Sequence, residues 1–312
     1  MEFIIDVLIL IKNVSIAFLT SWIRFFVSPR RKCVRGDIVL VTGAASGMGQ
    51  AMVVEFAKLG AITVAWDINK KGLKDTVQMV EAVGGHCHSF ICDVSDRNQV
   101  HHCAEEVRAQ IGDVTILVNN AGVATGKRLL ELTDEEVERT MGVNLMAQIW
   151  TTKEFLPSMM ENNHGHIVNM GSSAGHVGLS HLVDYSASKF GVTGFTQTLT
   201  YELHFAGHDG IMTTLVSPSF VKTGMFAGCK MEYPLILPDL EQQPTVDRIM
   251  QAILTNQTEL YLPRMVYIMV ALKHVMPVAA MHEIIRFFRA HQFMDSFVGR
   301  KHMEDLLANT EE

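Results

Sequence analysis

A tyrosine and a lysine lie one helical turn apart in Tyr185-Ser-Ala-Ser-Lys189, and Ser172 precedes the tyrosine by 13 residues. Side chains at this spacing face the same side of a helix, so the ammonium can stabilise a phenolate. A tyrosine normally titrates near ~10, and positive charges from Lys189 and from an oxidised nicotinamide ring would lower that pKa. We therefore expect Tyr185 to exchange a proton while Ser172 holds the substrate oxygen. Such a pair suits proton transfer coupled to hydride transfer.

A glycine-rich loop near the start of the chain supplies a second, independent signal. It carries Gly43, Gly47 and Gly49 between a predicted buried strand at 37–41 and a predicted amphipathic helix at 50–59. At such a junction the backbone can approach a pyrophosphate, and the helix N-terminus favours its charge. An ordinary flexible turn is the alternative. The order strand, loop, helix and second strand makes a dinucleotide site the more specific interpretation.

Asp67 ends the predicted second strand at 62–66, where a carboxylate can accept hydrogen bonds from both adenosine ribose hydroxyls. A 2′-phosphate there would meet a like charge at a cost of ~4 kcal/mol, for a separation of about 4 Å and an effective dielectric of about 20. The sequence therefore favours NAD. Lys70 and Lys71 follow closely and could reach a phosphate, so NADP remains the alternative.

Further motifs follow in a fixed order. Asn119-Asn120-Ala121-Gly122 comes after a predicted strand at 116–118, Asn144 lies in Gly-Val-Asn, and Ser172 lies in a Gly-Ser-Ser-Ala-Gly segment after a predicted strand at 166–170. With these motifs the chain resembles the short-chain dehydrogenase/reductase family from Gly36 to about Pro263. The resemblance implies an α/β fold of the Rossmann type, a doubly wound parallel sheet in a single domain. Alternating strand and helix signals in 312 residues with 48% hydrophobic content agree with it.

The resemblance also implies roles for individual residues. The catalytic group would be Asn144, Ser172, Tyr185 and Lys189, with Ser173 as the alternative to Ser172 and with Asn144 holding a water that links Lys189 to solvent. The residues expected at the cofactor are Gly43, Ser46, Gly47, Met48, Gly49, Asp67, Asp93, Asn120, Gly122, Tyr185, Lys189, Pro218 and Thr223.

Within that set, Asp93 resembles the family's adenine contact, Asn120 and Gly122 would line the adenosine side, and Thr223 would reach the nicotinamide carboxamide or a phosphate. Pro218 opens a stretch that covers the nicotinamide in the family. Ser219 follows it where glycine is usual, and this departure affects the local backbone.

Composition excludes several other classes of protein. A formal net charge of −7 argues against nucleic acid as a partner. Five cysteines, an odd number without a CxxC pair, fit a reducing compartment better than a disulfide framework. The 14 histidines are not accompanied by a carboxylate or thiol cluster at ligand spacing, so no metal site is expected.

The N-terminus is strongly apolar from residue 3 to 27 and is followed by Arg30, Arg31, Lys32 and Arg35. About ten large apolar residues at about −0.5 kcal/mol each just outweigh a cost of ~3 kcal/mol for Lys12 and a further polar cost for Asn13. Residues 1–28 are therefore predicted to be a membrane anchor that spans only marginally. A cleaved signal and a core helix are the weaker alternatives. The basic cluster predicts a catalytic domain that faces the cytosol, at the endoplasmic reticulum membrane or on a lipid droplet.

Residues 264–312 are predicted to be an amphipathic helical extension after a domain at 36–263, because the stretch 265–297 is rich in methionine and aromatic residues. These helices either border a lipid-substrate entrance or the bilayer, or cap the core or another subunit. A homodimer through helices at 134–160 and 185–206 is what the resemblance implies.

Four segments are similar to the epidermal-type branch of the membrane-bound retinol dehydrogenases and 17-beta-hydroxysteroid dehydrogenases. The segments lie at 66–70, 112–118, 163–168 and 222–226. The resemblance implies NAD-dependent oxidation of all-trans-retinol to all-trans-retinal. A steroid 17-beta alcohol is the alternative substrate, and a non-catalytic lipid-droplet protein that keeps the fold is the alternative from another class.

Overall fold

The computed structural model describes residues 2–27 and 29–299, and the chain divides into two units, Met1–Cys33 and Val34–Glu312. The first unit consists of helix α1, Glu2–Phe26. Its stretch Glu2–Ile23 has a mean hydropathy of 2.1, and none of it is buried. By length and composition this helix could cross a membrane.

The second unit alternates strands and helices. Its elements are β1 Ile38–Thr42, α2 Gly47–Lys58, β2 Ile62–Asp67, α3 Lys70–Ala82, β3 His86–Ile91, α4 Arg97–Gln110, β4 Ile116–Asn119, α5 Asp134–Met141, α6 Ala147–Glu161, β5 Gly165–Met170, α7 Val183–Phe205, β6 Ile211–Pro218, α8 Gln242–Leu254, β7 Glu259–Leu262, α9 Met265–Val275 and α10 Val278–Phe287.

The seven strands form one parallel sheet in the order β3-β2-β1-β4-β5-β6-β7. The strand order reverses between β1 and β4, because the chain adds β2 and β3 on one side of β1 and then returns to add β4 on the other. Ligands of open α/β sheets bind at such a switch point, outside the carboxyl ends of the strands. The prediction of a Rossmann-type doubly wound sheet is confirmed.

The core lies on both faces of the sheet. Val39 and Val41 pack into one apolar cluster, which includes residues of α2 and α8. Leu40, between them, packs into the opposite cluster with residues of α4, α6 and α7. Successive strand side chains alternate between faces, so a strand covered on both sides is apolar at every position. This explains why the sequence shows continuous apolar runs.

The predicted long helix at 134–160 is interrupted. A π-helical turn, Gly142–Met146, separates α5 from α6 and contains Asn144. Such turns occur often at functional sites, because the extra residue redirects a side chain.

The predicted C-terminal extension contains α9 and α10, and its last residues, 300–312, lie outside the described part of the chain. Val266 of α9 and Met281 of α10 are buried, whereas Ile268, Val275 and Val278 are exposed. After α10, Phe293 and Met294 pack against a third apolar cluster that includes Tyr185. This part of the extension therefore caps the core, and an exposed apolar surface remains on the helices.

Candidate active site

The glycine loop connects the end of β1 to the first turn of α2. Gly43 has φ of +66° and Gly47 of +59°, the left-handed region that side chains disfavour. A Cβ on Gly43 would lie 2.8 Å from the Cα of Ala121, so the turn also needs glycine for space. Ser46 is the N-cap and makes no side-chain cap hydrogen bond, which leaves amides at the helix start available to an anion.

A groove of about 820 Å³ lies beside this loop, at the switch point of the sheet. Its walls include residues that follow or end β1, β2, β3 and β4, the segment after β6, residues of α5 and the π turn, and residues 297–299. Nine of the residues predicted to contact the cofactor line it: Gly43, Ser46, Gly47, Met48, Asp67, Asp93, Asn120, Gly122 and Thr223.

The other four residues predicted to contact the cofactor do not line this groove: Tyr185, which lines the adjoining cavity, Lys189, Gly49 and Pro218. A Cβ on Gly49 would lie 2.2 Å from the carbonyl oxygen of Gly43, so this glycine lets α2 pack closely against the turn. Pro218 is the last residue of β6, and its carbonyl accepts a hydrogen bond of 3.5 Å from the Ser172 hydroxyl. Gly49 and Pro218 thus hold the backbone that surrounds the groove and do not form its wall.

Asp67 ends β2 at the edge of the groove. Its Oδ2 accepts a hydrogen bond of 3.0 Å from the amide of Ala45, and its Oδ1 accepts one of 2.9 Å from the amide of Asn69. These bonds fix the carboxylate beside the glycine loop, where a ribose would lie. Lys70 and Lys71 are exposed at the start of α3 and do not line the groove.

Two polar residues join the ends of β1 and β4. The side-chain amide of Asn120 donates to the carbonyl of Thr42 at 2.9 Å and to that of Gly43 at 3.2 Å. The Thr42 hydroxyl accepts in return from the amides of Asn120 and Ala121, at 3.0 and 3.1 Å. Thr42 was not among the predicted site residues. Its signal is a hydroxyl residue directly before the glycine loop.

Asp93 lies at the carboxyl end of β3, where its Oδ1 accepts from the amide of Ser95 at 2.9 Å and from its hydroxyl at 2.6 Å. One carboxylate oxygen is thus held within its own turn, and the residue lines the groove.

Ser172, Tyr185 and Lys189 are brought together by β5 and α7. Tyr185 is 5% exposed and Lys189 is 3% exposed. The ammonium Nζ lies 5.7 Å from the centroid of the Tyr185 ring and donates a hydrogen bond of 2.8 Å to the carbonyl of Met170. Ser172 follows β5, accepts from the amide of Ala174 at 3.1 Å and is hydrogen-bonded to the Tyr185 phenol.

The pKa values of this pair differ from the expectation that Tyr185 is acidified. Burial raises the pKa of Tyr185 from 10.0 to about 12, and the hydrogen bond from Ser172 lowers it only in part. Burial also lowers the pKa of Lys189 from 10.5 to about 8. The expectation is therefore wrong for the protein groups alone, because desolvation of the phenolate outweighs the attraction of an ammonium that faces Met170.

Asn144 is fully buried in the π turn. Its Oδ1 accepts from the amide of Val123 at 2.8 Å, and its Nδ2 donates to the carbonyl of Val123 at 3.0 Å and to Ser188 Oγ at 3.1 Å. The amide group thus fastens the loop after β4 to the helix that carries Tyr185. The proton-relay role of Asn144 stays a prediction.

Asp184, directly before Tyr185, was not found by sequence reasoning. Its buried Oδ2 accepts from Thr125 at 2.5 Å and from Thr140 at 2.8 Å. These bonds hold the first turn of α7 against two residues that line the groove. An acidic residue beside the tyrosine was the available signal.

A second cavity, of about 140 Å³, adjoins the catalytic group and is lined by Ser172, Ser173 and Tyr185. The rest of its wall is largely apolar and aromatic. Phe226 meets the Tyr185 ring edge-on at 5.7 Å, and Phe220 also lines the wall. Sequence reasoning missed both phenylalanines, because single apolar residues in a loop carry no chemical signature.

Residues 289–299, which we call the C-terminal strap, contribute to both spaces. Phe293 lines the cavity, whereas Phe297 and Val298 line the groove. The amide of Val298 donates to the carbonyl of Ala227 at 2.9 Å, and Phe297 packs so closely over Gly126 that a Cβ there would lie 2.3 Å from its ring. One short segment therefore forms part of the wall of each space.

No group of three or more His, Cys, Asp or Glu arranged to hold a metal ion occurs within residues 2–27 and 29–299.

Comparison with known proteins agrees with this geometry. The family model for short chain dehydrogenase matches residues 37–233, more than half of the 312-residue chain. The chain is 43% identical to epidermal retinol dehydrogenase 2 of Homo sapiens over 272 residues, which cover 87% of this chain and 88% of the relative. It is 43% identical to estradiol 17-beta-dehydrogenase 11 of Pongo abelii over 277 residues, 89% of this chain and 91% of the relative.

Solved structures are also similar. A short chain dehydrogenase/reductase from Burkholderia phymatum in complex with NAD is 28% identical, with a TM-score of 0.71, and the match covers 78% of this chain and 95% of that one. A metagenomic short-chain oxidoreductase in complex with NADP is also 28% identical, with a TM-score of 0.63 over 74% of this chain and 98% of that one. This chain thus belongs to the short-chain dehydrogenase family and is an oxidoreductase.

Proposed function

We propose that this protein is a membrane-associated, NAD-dependent dehydrogenase that oxidises all-trans-retinol to all-trans-retinal. The observation that carries the proposal is the position of Tyr185. Its phenol lines an apolar cavity and is hydrogen-bonded to Ser172, on the helix whose Lys189 lies behind it.

The groove fits a dinucleotide, because it combines a helix N-terminus, two glycines with positive φ and a fixed carboxylate at Asp67. Bound nicotinamide supplies the acceptor for the hydride that leaves the alcohol carbon. We propose Asn144, Ser172, Tyr185 and Lys189 as the catalytic group and the nine lining residues as cofactor contacts.

In this mechanism the Ser172 hydroxyl donates to the substrate oxygen and holds it beside Tyr185. The phenolate oxygen of Tyr185 accepts the hydroxyl proton as the carbon loses hydride, so the alcohol becomes a carbonyl. With a pKa of about 12 in the protein alone, Tyr185 is a proton donor at neutral pH and suits the reverse reduction. Oxidation requires the phenolate form of Tyr185, which the positive charge of an oxidised nicotinamide would stabilise.

NAD is the proposed cofactor because Asp67 would repel a 2′-phosphate, whereas Lys70 and Lys71 do not line the groove. One of the two similar solved structures contains NAD and the other contains NADP, so they do not decide between the cofactors. The proposed preference for NAD rests on the carboxylate of Asp67 in this chain. Replacing Asp67 should therefore change the ratio of kcat/KM for the two cofactors.

Retinol is the proposed substrate because the cavity wall is aromatic and apolar, and because a retinol dehydrogenase is among the similar proteins. A steroid 17-beta alcohol is the second candidate, which the similarity to an estradiol dehydrogenase favours. The cavity, of about 140 Å³, is smaller than the roughly 300–1,000 Å³ typical of small-molecule sites. Either substrate would require the strap or the loop after β6 to move outwards.

The deciding experiment compares wild-type protein with Tyr185→Phe in membranes, using retinol and estradiol with either cofactor. Turnover should fall at least about a hundredfold while NAD binding persists, since proton transfer by a positioned side chain contributes on that order. Tyr201→Phe is the matched control, because Tyr201 lies on the same helix but is 63% exposed. Equal turnover by Tyr185→Phe and wild type would favour the non-catalytic alternative.

We further propose that α1 anchors the protein with its catalytic domain facing the cytosol, at the endoplasmic reticulum or on lipid droplets, and that two copies pair through α5–α6 and α7. The apolar, unburied stretch Glu2–Ile23 supports the anchor. Deletion of residues 1–29 should move the protein from the membrane pellet to the supernatant. If the shortened protein still sedimented with membranes, α9 and α10 would be the anchoring helices instead. Cross-linking in detergent tests whether two copies form a dimer.

A further inference from the structure

Ser219 carries a buried hydroxyl for which the protein provides no hydrogen-bond partner. Leaving such a group unpaired costs about 1–3 kcal/mol, and nearly all buried polar groups in native proteins are paired. An unpaired hydroxyl in a folded enzyme therefore needs an explanation, such as a partner that belongs to a ligand.

Its location distinguishes Ser219 from similar groups. Among the described residues, unpaired buried side-chain atoms also occur on Trp66, Gln148, Asp184 and Ser186. None of those four residues lines the cavity or the groove, whereas Ser219 lines the cavity. It is thus the one such group that borders a space where a ligand could supply the missing partner.

The backbone around Ser219 is held firmly. Its amide donates to the carbonyl of Leu262 at 2.7 Å, and the adjacent carbonyl of Pro218 accepts from Ser172 Oγ at 3.5 Å. Ser219 is therefore fixed next to the hydroxyl that binds the Tyr185 phenol. A backbone held in this way loses little conformational entropy when the side chain binds a ligand.

We propose that Ser219 donates a hydrogen bond to the reacting oxygen of the substrate, beside Ser172, and so positions the alcohol or carbonyl group for Tyr185. This inference rests on the proposed function and names a further positioning residue of the same site. The cavity wall combines the hydroxyl residues Ser172, Ser173, Tyr185 and Ser219 with apolar residues such as Phe220, and it also carries Lys230, Glu232, Arg289 and Gln292. A ligand oxygen beside Ser172 and Tyr185 would therefore have the Ser219 hydroxyl as a further partner. Glycine is the usual residue of the family at this position. Replacing Ser219 with glycine therefore removes the hydroxyl and restores the common residue.

The test uses full-length Ser219→Ala and Ser219→Gly in membranes, with kcat/KM for retinol, KM for NAD and the melting temperature as readouts. We expect kcat/KM for retinol to fall about three- to tenfold, as for loss of one neutral hydrogen bond, with KM for NAD unchanged. The melting temperature of ligand-free Ser219→Ala should equal or exceed that of wild type, because an unpaired hydroxyl is removed. A purely structural serine would instead lower it.

Ser186→Ala is the matched control, since it removes another unpaired buried hydroxyl that borders neither space. It should leave kcat/KM unchanged. The inference is overturned by unchanged kcat/KM in Ser219→Ala, by an effect confined to KM for NAD, or by a lower melting temperature with normal turnover. A wild type that oxidises neither retinol nor estradiol overturns the proposed function and the inference together, whereas an active wild type with an unaffected Ser219→Ala overturns the inference alone.

Discussion

Replacing Lys189 with methionine should stabilise the fold while it abolishes turnover. The ammonium is buried, and burial lowers its pKa from 10.5 to about 8. That difference corresponds to about 3 kcal/mol of unfavourable free energy at neutral pH, since each pKa unit is worth about 1.4 kcal/mol. The variant loses the hydrogen bond to Met170, worth about 1–2 kcal/mol. A net gain of about 1–2 kcal/mol in unfolding free energy remains.

The pH dependence of this gain provides the sharper test. The folded pKa of Lys189 lies below its ordinary value, so between about pH 8 and pH 10.5 the unfolded chain binds more protons than the folded one. Wild-type stability therefore rises with pH across that window. The advantage of Lys189→Met should fall to zero and reverse by about pH 10, where the lost hydrogen bond to Met170 outweighs the remaining cost of burying the ammonium. Tyr185, whose folded pKa is raised, has the opposite effect, and only above about pH 10.

Urea unfolding of detergent-solubilised protein, followed by tryptophan fluorescence at several pH values, measures both effects. Lys153→Met is the control, because Lys153 is an exposed residue of α6 and should change neither the midpoint nor its pH dependence. A variant less stable than wild type near pH 7, or a difference that stays constant up to pH 10, would refute the desolvation argument.

Three further outcomes are expected. Gly49→Ala should destabilise the protein by about 2–3 kcal/mol and abolish NAD binding, because its Cβ would lie 2.2 Å from the Gly43 carbonyl oxygen. Gly194→Ala is the control, since Gly194 has open space around it. Urea unfolding should show this control to be as stable as wild type or up to about 1 kcal/mol more stable. Asp67→Ser should raise the NADP:NAD ratio of kcat/KM more than about tenfold, and an unchanged ratio in steady-state assays would contradict the proposed ribose contact. Burial lowers the pKa of His176, so the folded protein should lose stability as the pH falls below about 6.5. In His176→Gln this loss of stability should be smaller. Parallel pH profiles of the melting temperature for wild type and variant would contradict this role of His176.

The fold and the groove were largely predictable because their signals are local. A parallel sheet places the carboxyl ends of its strands at one edge. Each part of the groove can therefore be recognised directly after its own strand: the glycine loop, Asp67, Asp93 and Asn120. Short segments read in order are enough to assemble such a site.

Features that depend on packing between distant segments were not predictable. The raised pKa of Tyr185 follows from complete burial against Phe226, which no spacing reveals. The position of Gly49 behind the groove follows from how closely α2 approaches the Gly43 carbonyl. Ser219 was noticed as a departure from glycine, but its unpaired hydroxyl is visible only in three dimensions.

The C-terminal strap has a practical consequence for enzymology. Phe293 and Phe297, four positions apart, belong to the walls of different binding spaces, and Val298 is hydrogen-bonded to the loop that follows β6. If the cavity holds the proposed alcohol and the groove the proposed dinucleotide, altering either phenylalanine should change the affinities for both. Screens for selectivity in this region should titrate both reactants, because a changed Michaelis constant at one fixed coenzyme concentration does not reveal which of the two has been affected.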